Sequence, residues 1–177
     1  MKAVRFITAC LAFTVWMSAQ AAVELPKHAF KKTYDQMLAE LPNVSSQLTE
    51  SDVDGLKRWV GTVPMGTAST VVQISGKDKN SITALTVMLL SSPSTTDLDY
   101  ENAEALRDVL FQGLLGRGAG FDVVNDFFVQ ELDRQQPILR AGGVPKRGVK
   151  RIAKVEISLE LSRPPQGLMA IYAMKLL

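Results

Sequence analysis

From Lys154 to Leu161 the chain alternates strictly. Val155, Ile157, Leu159 and Leu161 are apolar, and Lys154, Glu156, Ser158 and Glu160 stand between them. Successive side chains of an extended chain point to opposite sides, so this pattern makes a strand with one buried and one wet face. A lone strand leaves its backbone groups unpaired, so the pattern demands neighbouring strands.

Ser162 to Gly167, with Pro164 and Pro165, turns the chain, and Leu168 to Leu177 reads as a closing strand with little polarity before Lys175. Upstream, Thr70 to Ser75 is short and β-branched. Ile82 to Leu90 is apolar on both of its sides, which predicts a central strand covered on both faces. Gly76 to Asn80 between them reads as a hairpin loop.

The helical segments follow a 3.6-residue period. Phe30, Tyr34, Met37, Leu38 and Leu41 form one stripe, which predicts helix 1 over Pro26 to Leu41. A second helix is predicted from Thr49 as N-cap, with Asp52 in its first turn and Val53, Leu56, Val60 and Val63 inward. Gly61 to Gly66, with Pro64, then reads as a loop. A third is predicted from about Leu98 to Leu115 on Ala103, Leu106, Leu110 and Leu114. A fourth is predicted from Phe121 to about Gln135 on Val124, Phe128 and Leu132. Pro137 to Gly148 is expected to be a loop. The order ααββααββ predicts an α+β domain: a four-stranded, mainly antiparallel sheet with helices packed on one face.

The amino end adds a different signal. Lys2 and Arg5 precede an uncharged apolar run from Phe6 to Met17, and Ser18-Ala19-Gln20-Ala21 closes it with small residues. This is the pattern of a secretory signal peptide cut after Ala21. The run is too short to span a bilayer. Residues 22–177 are then expected to be a single domain, periplasmic or secreted. That domain has no cysteine, since the only one, Cys10, lies in the leader, so no disulfide is expected. Loss of Lys2 and Arg5 also leaves 18 acidic residues balanced by as many basic ones.

Side-chain chemistry narrows the functions. The only histidine, His28, stands among Lys27, Lys31 and Lys32 with no acid beside it to orient it, so a Ser-His-Asp triad is unsupported. Cysteine nucleophiles and His/Cys zinc sites lack their residues. Asp97, Asp99 and Glu101 alternate as in a calcium loop, but Asn102 stands where that loop needs Gly, and Asp108 replaces its bidentate Glu. An acid-rich helix start explains them better. Gly116 to Gly120 invites a weak anion-binding reading through Arg117, Gly118 and Gly120. A dinucleotide loop follows a strand, however, whereas this run follows a helix and reads as an interhelical turn. No metal and no cofactor is expected.

Charge is unevenly spread. Between Arg134 and Lys154 there are seven bases and no acid. Arg140, Lys146, Arg147, Lys150, Arg151 and Lys154 are the candidate binding residues, carried on a flexible loop that enters a strand. Without interleaved aromatics this run is not a nucleic-acid surface. The expected function is therefore non-catalytic: binding another protein of the cell envelope, an acidic one, with the acidic start of helix 3 as a second contact. Envelope or secretion accessories and immunity-type proteins fit this description. Two alternatives remain open. One is a carrier holding an apolar or lipid ligand among Phe30, Tyr34, Met88 and Tyr172. The other is a carboxylate-based cell-wall hydrolase, which would need two facing acids in one cleft.

Overall fold

The computed structural model describes residue 30, residues 32–116 and residues 119–177. The expected leader over residues 1–21, Cys10, His28, the start of helix 1, Arg117 and Gly118 lie outside them.

Among the described residues, four helices and seven strands follow the order ααββββααβββ. The helices are α1 (Tyr34–Leu38), α2 (Pro42–Ser45), α3 (Asp97–Leu115) and α4 (Ala119–Arg140). The strands are β1 (Thr49–Val53), β2 (Leu56–Met65), β3 (Ala68–Gly76), β4 (Ile82–Ser91), β5 (Gly148–Ile152), β6 (Val155–Ser162) and β7 (Leu168–Leu176). All strands join one antiparallel sheet in the order β1-β2-β3-β4-β7-β6-β5. The expected four-stranded sheet and its ααββααββ order are thereby corrected. Each half of the chain runs from a helix pair into a meander, and the last strands of the two halves, β4 and β7, pair at the centre.

Three strands account for the difference. Residues expected in helix 2 form β1 and β2. Asp54 and Gly55 adopt φ of 56° and 78°, the two-residue hairpin turn that Asp-Gly favours, and this turn interrupts any helix. Beyond it Trp59, Val63 and Met65 point inward at a period of two, while Val60 is exposed. The 3.6-residue stripe was fortuitous. Gly61 to Gly66, expected as a loop, supplies the end of β2 and its turn into β3. The third missed strand, β5, starts at the last residue of the expected 137–148 loop and otherwise lies beyond it. It has the exposure of a polar edge, so no apolar alternation announces it.

Other boundaries shift for local reasons. Within the described part of the expected helix 1, the helix is α1, and α2 follows beyond the expected end at Leu41. Thr33 opens α1 with a capping box closed by Gln36. Leu41 takes φ −126°, as a residue preceding proline tends to, and Pro42 then starts α2. α4 runs past Pro137 to Arg140, five residues beyond its expected end. β4 is central, and among the described residues helices cover one of its faces.

That covered face carries the core. Trp59, Ile74, Leu85, Met174 and Ile157 form one row across five strands, each at most 2% exposed. Each such side chain contributes about 1.5–3 kcal/mol by leaving water. Phe128 of α4 packs edge-on to Phe111 of α3 at 5.2 Å and to Tyr172 of β7 at 5.0 Å, which fixes both long helices on the sheet. Arg107 of α3 lies 4.5 Å above the Tyr172 ring. Burial opposes its charge, but Tyr172, Asp108 and Glu104 more than offset that penalty and hold its pKa above the ordinary value. On the opposite face Val71, Met88 and Ile171 lie side by side, half-buried, with no described helix above them.

Candidate functional site

The basic run begins at Arg140, which ends α4, and crosses a loop at 141–147 that holds Lys146 and Arg147. Lys150 and Arg151 lie within β5, and Lys154 sits in the turn to β6. The expected loop entering a strand is present but shorter: its first residues belong to α4, and its end belongs to β5, the outermost strand of the sheet. All six are exposed.

Several contacts fasten this edge. Gly148 packs so closely on the Glu131 carboxylate that a Cβ there would overlap it. Glu131 is ion-paired with Arg134 and accepts from Gln135 Nε2 at 3.0 Å; these bonds, Arg134 first, hold its pKa below the usual range. Arg134 Nη2 also donates to the Lys146 carbonyl at 2.7 Å, which pins the lead-in to β5. Gln135 itself is fully buried. Its amide donates to Leu159 O at 3.0 Å and accepts from Leu161 N at 2.9 Å. β5 ends opposite Leu159, so this one side chain continues the ladder where the strand stops.

The six candidate cations divide into two groups. Arg151 donates to Glu156 Oε2 through Nε and Nη2, both at 2.9 Å, and Lys175 reaches Glu156 Oε1 at 3.0 Å. Lys175 and then Arg151 hold the Glu156 carboxyl below its ordinary pKa. Arg147 Nη2 donates to Ser158 Oγ at 2.7 Å, and Arg140 reaches Gln136 Oε1 at 3.4 Å. Among the described residues, Lys146, Lys150 and Lys154 have no carboxylate within ion-pair distance. They are the charges this edge can offer to another molecule.

Backbone geometry adds a second recognition element. Ile152 and Val155 flank a two-residue turn, so they form a hydrogen-bonded pair and the bonded pairs alternate from there. Val149 and Arg151 therefore turn their N–H and C=O groups outward. Ala153 in that turn has φ 53°, a conformation that costs a Cβ-bearing residue about 1 kcal/mol.

The other expected contacts lie elsewhere. The acidic start of α3 packs on the β2–β3 turn: Asp99 Oδ2 accepts from Thr67 N at 3.1 Å and Thr67 Oγ1 at 2.7 Å. Hydrogen bonds from Thr67, and then from Thr96, hold the Asp99 carboxyl below its ordinary pKa. Gly120 lies in the first turn of α4, and Gly116 ends α3 with φ 77° and its N–H bonded to Gln112 O. A cleft of about 480 Å³ beside α3 contains Asp97, Glu101 and Glu104. All three are on one helix, with Gln136 and Leu168 among the other lining residues, so this cleft does not supply two facing acids. Phe30, Tyr34 and Tyr172 are core residues on the helix side, whereas Met88 lies on the uncovered face. The four do not line one cavity.

Sequence reading missed Gln135, which has no periodic signature, and the edge position of β5. Comparison with known protein families, characterised proteins and solved structures returns no match.

Proposed function

We propose that this is an exported, non-catalytic binding protein that captures an extended acidic segment of another protein along the β5 edge. The observation that carries this reading is a short edge strand with outward backbone groups, flanked by three cations that lack partners among the described residues. An added strand gains main-chain hydrogen bonds from such an edge, and its acidic side chains gain a complementary field. Sheet edges also carry lysines to prevent unwanted pairing. That defence leaves the edge open to an acidic partner. Export is supported by the pattern over residues 1–21.

The test uses a synthetic peptide that alternates glutamate and valine, with a lysine and valine peptide as control. Fluorescence anisotropy should show salt-sensitive binding of the acidic peptide only. The triple variant Lys146→Glu, Lys150→Glu, Lys154→Glu should bind at least tenfold more weakly while keeping its far-UV spectrum. Equal binding by the triple variant, or no binding by the parent, removes the reading. Export is checked separately: protein from the periplasmic fraction should begin at Ala22.

A further inference from the structure

The opposite edge of the sheet mirrors β5 in length and inverts its charge. Residues 47–55, which contain β1, have Glu50, Asp52 and Asp54 and no base. Residues 146–154, which contain β5, have Lys146, Arg147, Lys150, Arg151 and Lys154 and no acid. Each strand is five residues long, and each ends in a two-residue hairpin turn. Val53 and Leu56 flank the β1 turn, so Glu50 and Asp52 direct their backbone groups outward, as Val149 and Arg151 do on β5. Among the described residues no side chain bonds to any of these backbone groups.

We infer that the β1 edge of a second copy of this chain fills the β5 edge, joining molecules head to tail into a continuous sheet. This rests on the reading of β5 as a capture edge and names its partner. A sheet protected against self-pairing carries like charges on its edges, so that copies repel. Here the two ends attract.

Geometry fixes the arrangement. Seven alternating strands make β1 and β5 run in the same direction. A copy related by a screw rotation that continues the twist of the sheet therefore sets β5 parallel to the neighbour's β1 with the helices on the same side. Glu50 and Asp52 lie beside Trp59 and Lys57 on the helix side, and Lys150 lies beside Ile157 on that side too. Among the registers that preserve both sides, the one that sets Lys150 opposite Glu50 also brings Lys154 to Asp54 and pairs the most opposite charges. It also places the outward groups of Arg151 between those of Glu50 and Asp52, as a parallel ladder requires. Glu50 and Asp52 each share Lys57, at 3.1 and 3.5 Å, so one base answers two acids and the β1 edge stays net negative. The contact is heterologous, so it propagates instead of closing at a dimer. Its exposed charges make it sensitive to salt.

Sedimentation velocity of the purified protein over a concentration series tests this, at about 20 mM and about 500 mM salt. At low salt the weight-average sedimentation coefficient should rise with concentration beyond the dimer value, and at high salt it should fall to that of the monomer. Lys150→Glu with Lys154→Glu should weaken association at least tenfold. Val149→Pro should do the same without altering charge, because it removes an outward N–H from an edge where proline is tolerated. Each variant should retain the parent near-UV spectrum. Association that survives both variants, or a parent that stays monomeric throughout, overturns the inference. If the monomeric parent still binds the glutamate and valine peptide, capture at β5 stands and only self-pairing falls. A monomer that also ignores the peptide removes both.

Discussion

Leu161 donates its backbone N–H to Gln135 Oε1 at 2.9 Å, a bond between the sheet and α4 that replaces a missing strand. β5 is too short to cover the end of β6, and α4 supplies the lacking acceptor from a fully buried side chain. The same amide donates to Leu159 O. Helix position and sheet edge are thereby fixed to each other.

Gln135→Leu should cost about 2 kcal/mol, because it leaves the Leu161 N–H buried without a partner. In a chain of this size that lowers Tm by about 4–8 °C. Urea unfolding checks the value. Amide exchange at Leu161 should accelerate more than exchange at Ile74 in the central row. A loss confined to global stability would place the effect elsewhere.

Ala153→Gly should stabilise the protein by up to about 1 kcal/mol. The native φ of 53° disfavours a Cβ, and the gain is trimmed by the greater freedom of glycine in the unfolded chain. The midpoint of urea unfolding should rise with an unchanged slope. Ala153→Val should move it the opposite way.

Arg107→Ala should cost about 3 kcal/mol. The guanidinium is buried against Tyr172 and paired with Glu104 at 3.3 Å and Asp108 at 2.7 Å, and its removal takes away both packing and charge balance. Arg107→Met, which keeps much of the volume, should lose less. Thermal melts of the two variants give the comparison.

Acid should destabilise the sheet edge through Glu156. Its folded pKa is depressed by Lys175 and Arg151, so its contribution is present above the ordinary carboxyl value of 4.5 and fades as pH falls through and below it. Glu50, Asp99 and Glu131 are shifted the same way and add to the slope. Glu156→Gln should be less stable than the parent at neutral pH and should lose less stability on acidification. Melts at about pH 7 and about pH 3.5 measure both. Parallel pH curves for the two proteins would count against this role.

β6 was legible from the alternation of Val155 to Leu161, and β7 from its lack of polarity. The expected wet face of β6 is not wet: Glu156 and Ser158 are buried beneath Arg151, Lys175 and Arg147. α3 was legible because Ala103, Leu106, Leu110 and Leu114 keep the helical period. β1 and β2 were misread because Val53, Leu56, Val60 and Val63 also fit that period, although the Asp54-Gly55 turn between the two strands breaks it. β5 left little trace, since an outer strand with its side chains in water needs no apolar pattern. The charges of the site were legible as a run of bases. Their division into tied arginines and open lysines was not, because Glu156 and Ser158 belong to the neighbouring strand.

The sequence alone determined the second helix pair, the inward residues of β6, and a basic segment with no acid from Arg134 to Lys154. Tertiary structure decided how many strands the sheet holds and that β4 and β7 meet at its centre. It also decided that the basic and acidic segments become its two outer edges. Local pattern reports whether a side chain meets water or protein. Which strand lies beside which is set by long-range pairing, where backbone hydrogen bonds carry no record of sequence.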